Sequence, residues 1–116
     1  MKTKLGINQK WTIRPDHRDD VRALFLKGFD ATMKSPTPSM DVFQLADGAN
    51  VGVSFEADAL DERQAQKGAW VELLVEDPDA LARTLDELAV RRIVYGDTTH
   101  TYHQAPGGPI FRLARG

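Results

Sequence analysis

Apolar residues recur with a helical period in the first half of the chain. Val21, Leu24, Phe25 and Phe29 are spaced by three and four residues, which predicts an amphipathic helix. Asp16 precedes this stripe and is a candidate N-cap, because its carboxylate can accept from a free backbone N–H of the first turn. The pattern therefore places one helix early in the chain.

A second helical stripe occupies the later half. Leu81, Leu85 and Leu88 again follow helical spacing, and Asp77-Pro78 stands just before them. Asp as the N-cap followed by Pro as the first helical residue is the preferred order of these two types. The stripe predicts that this helix buries its leucines against a sheet.

Short apolar or alternating runs predict the strands, and turn residues separate them. The predicted strands cover residues 10–14, 41–45, 50–56, 70–75, 92–95, 99–104 and 110–114. Asp47-Gly48 and the Pro-Gly-Gly-Pro stretch at 106–109 mark tight turns. The two prolines within 35–39 predict an irregular loop, since proline removes a backbone donor.

The order of these elements repeats along the chain. Leu81 lies 60 positions after Val21, and Gly108 lies 60 positions after Gly48. Two copies are too few for a solenoid, so we expect one domain, 1–116, with a site between its halves. We predict an α+β fold of two βαβββ modules. They cover about residues 8–56 and 68–116, and a polar linker covers 57–67.

Composition narrows the classes of partner. The 116 residues are 41% hydrophobic and 28% charged with a net charge of −2, which suits one globular core and gives no basic footprint for nucleic acid. No apolar run approaches the roughly 18 residues of a membrane span, and the start lacks the apolar stretch of a signal peptide. We therefore expect a cytoplasmic protein without a membrane partner. The absence of cysteine excludes disulfides and thiolate chemistry.

Two stretches carry a family resemblance. WVELLVEDPDAL at 70–81 and YHQAPGGPIFRL at 102–113 resemble the second module of the vicinal oxygen chelate superfamily. That superfamily includes glyoxalase I, bleomycin-resistance proteins, fosfomycin-resistance enzymes and extradiol dioxygenases. The resemblance implies that the sheets curve into a half-open barrel around a cavity, and that two copies of the chain form a homodimer.

The same resemblance implies where a metal would bind. In the enzymes of the superfamily, a histidine on the first strand of a module and a carboxylate on its last strand hold a divalent ion. The corresponding positions are Trp70 and Arg112, and Lys10 and Gly52 in the first module. Indole and guanidinium groups offer no acceptor pair to a metal. We therefore predict that the chain uses no metal and no cofactor.

The histidines do not rebuild such a site. His100 and His103 are three residues apart on a predicted strand, so their side chains point to opposite faces. His17 stands at a predicted helix start, away from both. A metal site formed by other residues stays open only if the predicted strand registers are wrong.

Strand alternation indicates what occupies the metal's place. Trp70, Glu72 and Leu74 share one face of their strand, and Arg112 takes the matching face of the last strand. The first and last strands of a module are neighbours in this fold, so Glu72 is expected to form an ion pair with Arg112. This pair either serves only to neutralise two charges in a filled barrel or forms part of a ligand site.

The ligand-site interpretation assigns a role to each inward residue. Arg112 offers a planar donor fork to a carboxylate or phosphate, and Trp70 offers a flat stacking surface. Tyr102 and Gln104 share a strand face, and Glu72 completes the set. We expect a glyoxalase-like or bleomycin-resistance-like protein, free of metal, that binds a small organic ligand of anionic or aromatic character.

Two other functional classes stay open, an enzyme and a protein-binding module. The chain could be an enzyme of the superfamily, a lyase, isomerase or dioxygenase, either with Glu72 as a metal-independent base or with an unrecognised metal site. Pairing with Arg112 makes Glu72 a poorer base, which argues against the first option. The third class is a protein-binding module that uses exposed sheet edges.

Overall fold

The computed structural model describes residues 1–116 and contains eight strands and three α-helices. The strands are β1 (Asn8–Ile13), β2 (Thr32–Thr37), β3 (Met40–Gln44), β4 (Asn50–Phe55), β5 (Val71–Val75), β6 (Arg91–Ile93), β7 (Thr101–Gln104) and β8 (Ile110–Arg115). The helices are α1 (Arg18–Ala23), α2 (Glu62–Ala65) and α3 (Pro78–Glu87). A 3-10 turn (Pro15–His17) leads into α1, and a π-helical segment (Leu24–Gly28) continues it.

The strands form two four-stranded mixed sheets. Their orders are β1-β4-β3-β2 and β5-β8-β7-β6, so each half of the chain builds its own sheet. In each sheet the first and last strands of the half pair in parallel, and the other pairs are antiparallel. The α+β fold of two βαβββ modules is thereby confirmed. No helix is long and apolar enough to cross a membrane.

The displacement of 60 holds for most elements and fails for the first strand. β4 begins at Asn50 and β8 at Ile110, whereas Lys10 lies opposite Gly52 and Glu72 lies opposite Arg112. Lys10 is therefore the counterpart of Glu72, two positions beyond Trp70. The equivalence of Lys10 and Trp70 assumed from the sequence was wrong. The connection from the first strand to the helix is two residues longer in the first half than in the second, and a constant displacement does not allow for this difference.

Two local predictions need correction. The proline-rich stretch 35–39 is not wholly a loop, since its first part belongs to β2. β2 is an edge strand, and its register against β3 shifts between Lys34 and Thr37, so Pro36 falls where no ladder donor is needed. Asp16 caps no helix, because it lies inside the 3-10 turn and its side chain makes no capping bond.

The other signals predicted for helix starts and turns are confirmed. The Asp77 carboxylate accepts from the Ala80 backbone N–H at 3.1 Å, and Pro78 is the first residue of α3. Gly48 and Gly107 both adopt positive φ in the two predicted turns. The linker contains α2, where Asp61 and Gln64 form a reciprocal capping box.

One core joins the two halves. Phe25 stacks on Phe43 with ring centroids 4.3 Å apart inside the first half, and Phe29 meets Phe111 of the second half edge-on at 5.4 Å. Alternation in the second sheet is as predicted, because Phe111 and Leu113 are buried in this core. The opposite face of the second sheet is therefore directed away from the core.

Asp41 lies fully buried beneath α1. Arg18 and Arg22 each donate two hydrogen bonds to its carboxylate, and Ser35 donates a fifth at 2.7 Å. Burial by itself raises the pKa of Asp41, but the bonds from Arg22, Arg18 and Ser35 outweigh it and hold the pKa below its usual range. This cluster fastens α1 to the β2–β3 hairpin.

Candidate functional site

A row of polar side chains crosses the outer face of the second sheet. Glu72 on β5 lies opposite Arg112 on β8, and Arg112 lies opposite Tyr102 on β7. The predicted pair is present, since Arg112 Nε donates to Glu72 Oε2 at 3.0 Å and Arg112 Nη2 donates to the same oxygen. The pair is partly exposed, so its contribution to stability is small, not the larger effect expected of a buried pair.

Contacts on three sides orient the Arg112 guanidinium. Its Cζ lies 4.5 Å from the centroid of the Trp70 ring, within cation–π range, and Glu72 binds its Nε edge. Its Nη1 lies 3.5 Å from the Tyr102 hydroxyl, which is long for a hydrogen bond. Hydrogen bonding to Tyr102 and Glu72 raises the pKa of Arg112 above its already high value. Arg112 is a permanent cation with a fixed orientation.

Aromatic rings border this cation. Trp70 and Tyr95 both meet Tyr102 edge-on, with centroid distances of 6.2 Å and 4.8 Å. Tyr102 itself is buried, whereas Trp70 is 47% and Tyr95 43% exposed. Two half-exposed rings therefore stand above a buried tyrosine, next to a charged group.

Asp97, in the loop before β7, connects Tyr102 to His100. Oδ1 accepts from the Thr99 backbone at 2.9 Å and from the Thr99 hydroxyl at 2.7 Å. Oδ2 accepts from the Tyr102 hydroxyl at 2.9 Å and lies 2.8 Å from His100 Nδ1. Bonds from the Thr99 hydroxyl and amide, then from His100 and Tyr102, hold the pKa of Asp97 below its usual range. The carboxylate is therefore ionised and accepts from four donors.

Gln104 does not join the other four predicted residues. Its amide nitrogen donates to the carbonyl oxygens of Glu62 and Gly108 at 2.8 and 3.1 Å, and its oxygen accepts from Gln66. The side chain is buried and fastens α2 onto the sheet. The other four predicted residues, Trp70, Glu72, Tyr102 and Arg112, form one contiguous group. Together with Tyr95, we call this group the Arg112 cluster.

The Arg112 cluster belongs to one half of the chain. A cleft of about 480 Å³ lies between the halves, but Lys10 is its one charged residue and none of the five predicted site residues lines it. Gln104 lines a smaller cleft of about 250 Å³ with His17 and Arg91. The expectation of a site between the halves does not apply to the Arg112 cluster.

The first sheet has no second copy of this arrangement. Gly52 takes the place of Arg112, and a Cβ there would lie 2.8 Å from the Met40 methyl group. Lys10, the counterpart of Glu72, is exposed. The asymmetry arises from side chains, since the backbone registers of the two sheets correspond.

Solved structures share this architecture along nearly the whole chain. A glyoxalase family protein from Bacillus anthracis superposes with a TM-score of 0.71 at 12% identity, covering 97% of this chain and 96% of that one. The fosfomycin resistance protein FosX from Listeria monocytogenes gives 0.71 at 18% identity, covering 100% and 93%. FosX from Mesorhizobium loti gives 0.67 at 14%, covering 100% and 94%.

The chain has the vicinal oxygen chelate fold. Identities of this size establish the fold alone, and activity has to be argued from the chain's own residues. No protein-family model and no curated protein sequence matches this chain.

The donor set does not fit the metal that vicinal oxygen chelate enzymes use. One Listeria FosX structure is a complex with Mn(II) and sulfate. In the present chain no three His, Asp or Glu side chains converge to hold an ion. Glu72 is a carboxylate, but it lies on the first strand of its module and not on the last, and it is bonded to Arg112, whose guanidinium only donates. His103 is fully buried under α3, on the opposite face from His100.

Tyr95, Asp97 and His100 are not among the site residues predicted from the sequence. In the sequence, Tyr95 belongs to a predicted strand and Asp97 to a loop between strands. His100 is considered there only as a candidate metal ligand. One signal was present: Asp97 followed by Thr99 is a common self-bonded turn, and His100 has the same parity as Tyr102. Only the folded loop brings His100 and Tyr102 to one oxygen of Asp97.

Proposed function

We propose that this protein binds a small aromatic carboxylate on the Arg112 cluster. The observation that carries the proposal is the orientation of Arg112. Glu72 and Trp70 hold the guanidinium in place, and Tyr102, 3.5 Å from Nη1, engages at most one of the remaining donors.

The N–H donors of Arg112 that have no partner in the chain support an anionic ligand. Glu72 uses the Nε–H and one Nη2–H of Arg112, and the Tyr102 hydroxyl takes at most one Nη1–H, over a long contact of 3.5 Å. One Nη1–H and the second Nη2–H are left. These remaining groups form the end-on fork that binds a carboxylate through two parallel hydrogen bonds. The Tyr102 hydroxyl donates its proton to Asp97, so toward Arg112 it acts only as an acceptor, over that long contact.

The neighbouring rings support an aromatic ligand. Trp70 and Tyr95 are nearly half exposed although they are large and apolar, and both flank Tyr102. Covering them with a ligand ring removes apolar area from water and allows edge or face contacts. A carboxylate with one attached aromatic ring satisfies both features.

A ligand-binding role is favoured over a reaction in which Glu72 acts as the base. The candidate base is engaged through one oxygen by two Arg112 donors, so abstracting a proton would require breaking this pair. Glu72 is better suited to positioning Arg112 than to removing a proton.

The decisive experiment compares phenylacetate with phenylacetamide by isothermal titration calorimetry. The two differ in charge and hardly in shape, so the affinity difference reports the Arg112 fork. We expect phenylacetate to bind about 10- to 100-fold more tightly, the equivalent of about 1.5–3 kcal/mol for bonds to a charged group. Arg112→Gln should abolish the difference, and Trp70→Ala should weaken both ligands.

Arg83→Gln is the matched control, since Arg83 is an exposed arginine on α3 outside the cluster. It should leave both affinities unchanged. Equal affinity of the wild-type protein for the two ligands would contradict the proposal.

We also propose that two copies of the chain form a homodimer through the edge strand β5, beside the Arg112 cluster. Leu74, on the same strand face as Glu72, is 67% exposed although it is large and apolar. Light scattering after gel filtration should give a dimer, and Leu74→Glu should give a monomer. Leu60→Glu, at an exposed leucine of the linker, is the control. The cytoplasm remains the compartment predicted from the sequence.

A further inference from the structure

The neutral His100 side chain has a fixed tautomer. Its Nδ1 lies 2.8 Å from Asp97 Oδ2, and an ionised carboxylate can only accept a hydrogen bond. The proton therefore resides on Nδ1. The Thr99 hydroxyl, 3.0 Å from the same nitrogen, already donates to Asp97 Oδ1 and can only accept here. Nε2 is left with its lone pair and no partner in the chain, on a side chain that is 33% exposed.

Anchoring of the loop does not explain this arrangement. Asp97 Oδ1 makes both bonds to Thr99, and these two bonds close the turn by themselves. Oδ2 is used for His100 and Tyr102, whose side chains lie on the open face of the sheet. One oxygen of the Asp97 carboxylate thus positions the His100 imidazole and the Tyr102 phenol on the same face as the Arg112 guanidinium.

His100 lies close to the cationic end of the site. Consecutive contacts of 3.5, 2.9 and 2.8 Å link Arg112 Nη1 to the Tyr102 hydroxyl, the hydroxyl to Asp97, and Asp97 to His100. The imidazole is therefore separated from the Arg112 fork by one phenol and one carboxylate, and this is the span that a small ligand held by Arg112 has to bridge to reach His100. A base held by a carboxylate next to an anion-binding fork is the arrangement that general base catalysis requires.

We propose that His100 is a general base, positioned by Asp97, that interconverts the keto and enol forms of a 2-oxo carboxylate bearing an aromatic ring. Nε2 takes the proton from C3, the C–H electron pair becomes the C2=C3 double bond, and the carbonyl electron pair moves to oxygen. That oxygen takes a proton from solvent, Nε2 of the imidazolium returns its proton to solvent, and the product is the enol. No oxidant, metal or cofactor is consumed. The inference rests on the proposed carboxylate site.

Phenylpyruvate is the probe, because its keto and enol forms differ in ultraviolet absorbance. We expect the wild-type protein to accelerate the interconversion about 100-fold or more over buffer. His100→Gln should lose this acceleration while its affinity for phenylacetate stays unchanged. His17→Gln, at another partly exposed histidine, is the matched control and should keep the full rate.

Asp97→Asn tests the positioning role with a spectroscopic readout. The side-chain amide that this substitution introduces can donate to His100 Nδ1, which moves the imidazole proton to Nε2. Nitrogen NMR of the histidine rings should show this change of tautomer, and the rate of phenylpyruvate interconversion should fall. A normal rate with the inverted tautomer would overturn the assignment of His100.

Different results would overturn the proposed ligand site and the proposed role of His100. Binding of phenylacetate without acceleration of phenylpyruvate interconversion, or acceleration that survives His100→Gln, overturns the base assignment and leaves the ligand site intact. Absence of phenylacetate binding overturns the ligand site and this inference together.

Discussion

Glu72 and Arg112 lie directly opposite each other in the parallel register of β5 and β8, and Arg112 Nε donates to Glu72 Oε2 at 3.0 Å. The pair sets both the orientation and the effective charge of the candidate site. Because Glu72 cancels the field of Arg112 without covering its Nη1 side, the two roles can be separated by substitution.

Glu72→Gln should increase the affinity for phenylacetate. The amide oxygen can still accept from Arg112, but the negative charge that repels the ligand is gone. We expect about a fivefold gain, the equivalent of about 1 kcal/mol for one unit charge near contact in water. Calorimetry at low salt measures it, and Glu76→Gln, just beyond β5, is the control. A fall in affinity would mean that the charge of Glu72 is needed to hold Arg112.

Asp41→Asn should lower the free energy of unfolding by about 3 kcal/mol, because it leaves Arg18 and Arg22 without their shared carboxylate. The folded pKa of Asp41 is lowered, so its stabilisation is complete above the unfolded pKa of about 3.9 and is lost as pH falls below it. Urea unfolding of wild type between about pH 6 and pH 3 should show this loss, and the variant should lack this part of it.

Asp19→Asn provides the control for this experiment. Asp19 is an exposed acid on the same helix, and its replacement should preserve the acid sensitivity. If Asp41→Asn were as stable as wild type at neutral pH, the buried cluster would not be what fastens α1 to the hairpin.

His103 should make the fold sensitive to mild acid. It is fully buried against Phe111, and burial lowers its pKa although Asp86 lies 3.5 Å from Nε2. The unfolded chain therefore binds a proton before the folded one does. Stability is complete above the unfolded pKa of about 6.5 and falls as pH drops below it, at no more than about 1.4 kcal/mol per pH unit.

Denaturant titrations between about pH 7.5 and pH 5 measure this slope. His103→Phe should flatten it, since the variant has no group to protonate there, whereas His17→Gln should retain it. An unchanged slope in His103→Phe would assign the acid sensitivity to other groups.

The two turn glycines should differ in their tolerance of alanine. Both have positive φ, but a Cβ on Gly107 would lie 2.3 Å from the His17 ring, whereas nothing lies within 4 Å of the one on Gly48. Gly48→Ala should cost about 1 kcal/mol for the backbone alone. Gly107→Ala should cost clearly more, because the turn packs against the first half. Thermal unfolding of the two variants compares them, and equal losses would contradict close packing between the halves.

Local chemistry was sufficient for the elements whose signals need no distant partner. Asp77-Pro78 starts α3, and Phe111 and Leu113 face the core, because N-capping and strand alternation act over a few residues. The predictions for Asp16 and the prolines of 35–39 were wrong since the 3-10 turn and the edge position of β2 depend on tertiary contacts.

Periodicity and strand parity are properties of the chain, and they are enough to predict the repeated βαβββ units and the facing of Glu72 and Arg112. The correspondence of Lys10 with Glu72, the role of Gln104 in holding the linker and the link from His100 through Asp97 to Tyr102 depend on the folded chain. Register between distant strands and loop closure are set by packing and by hydrogen bonds across the fold, and neither leaves a periodic trace in the sequence.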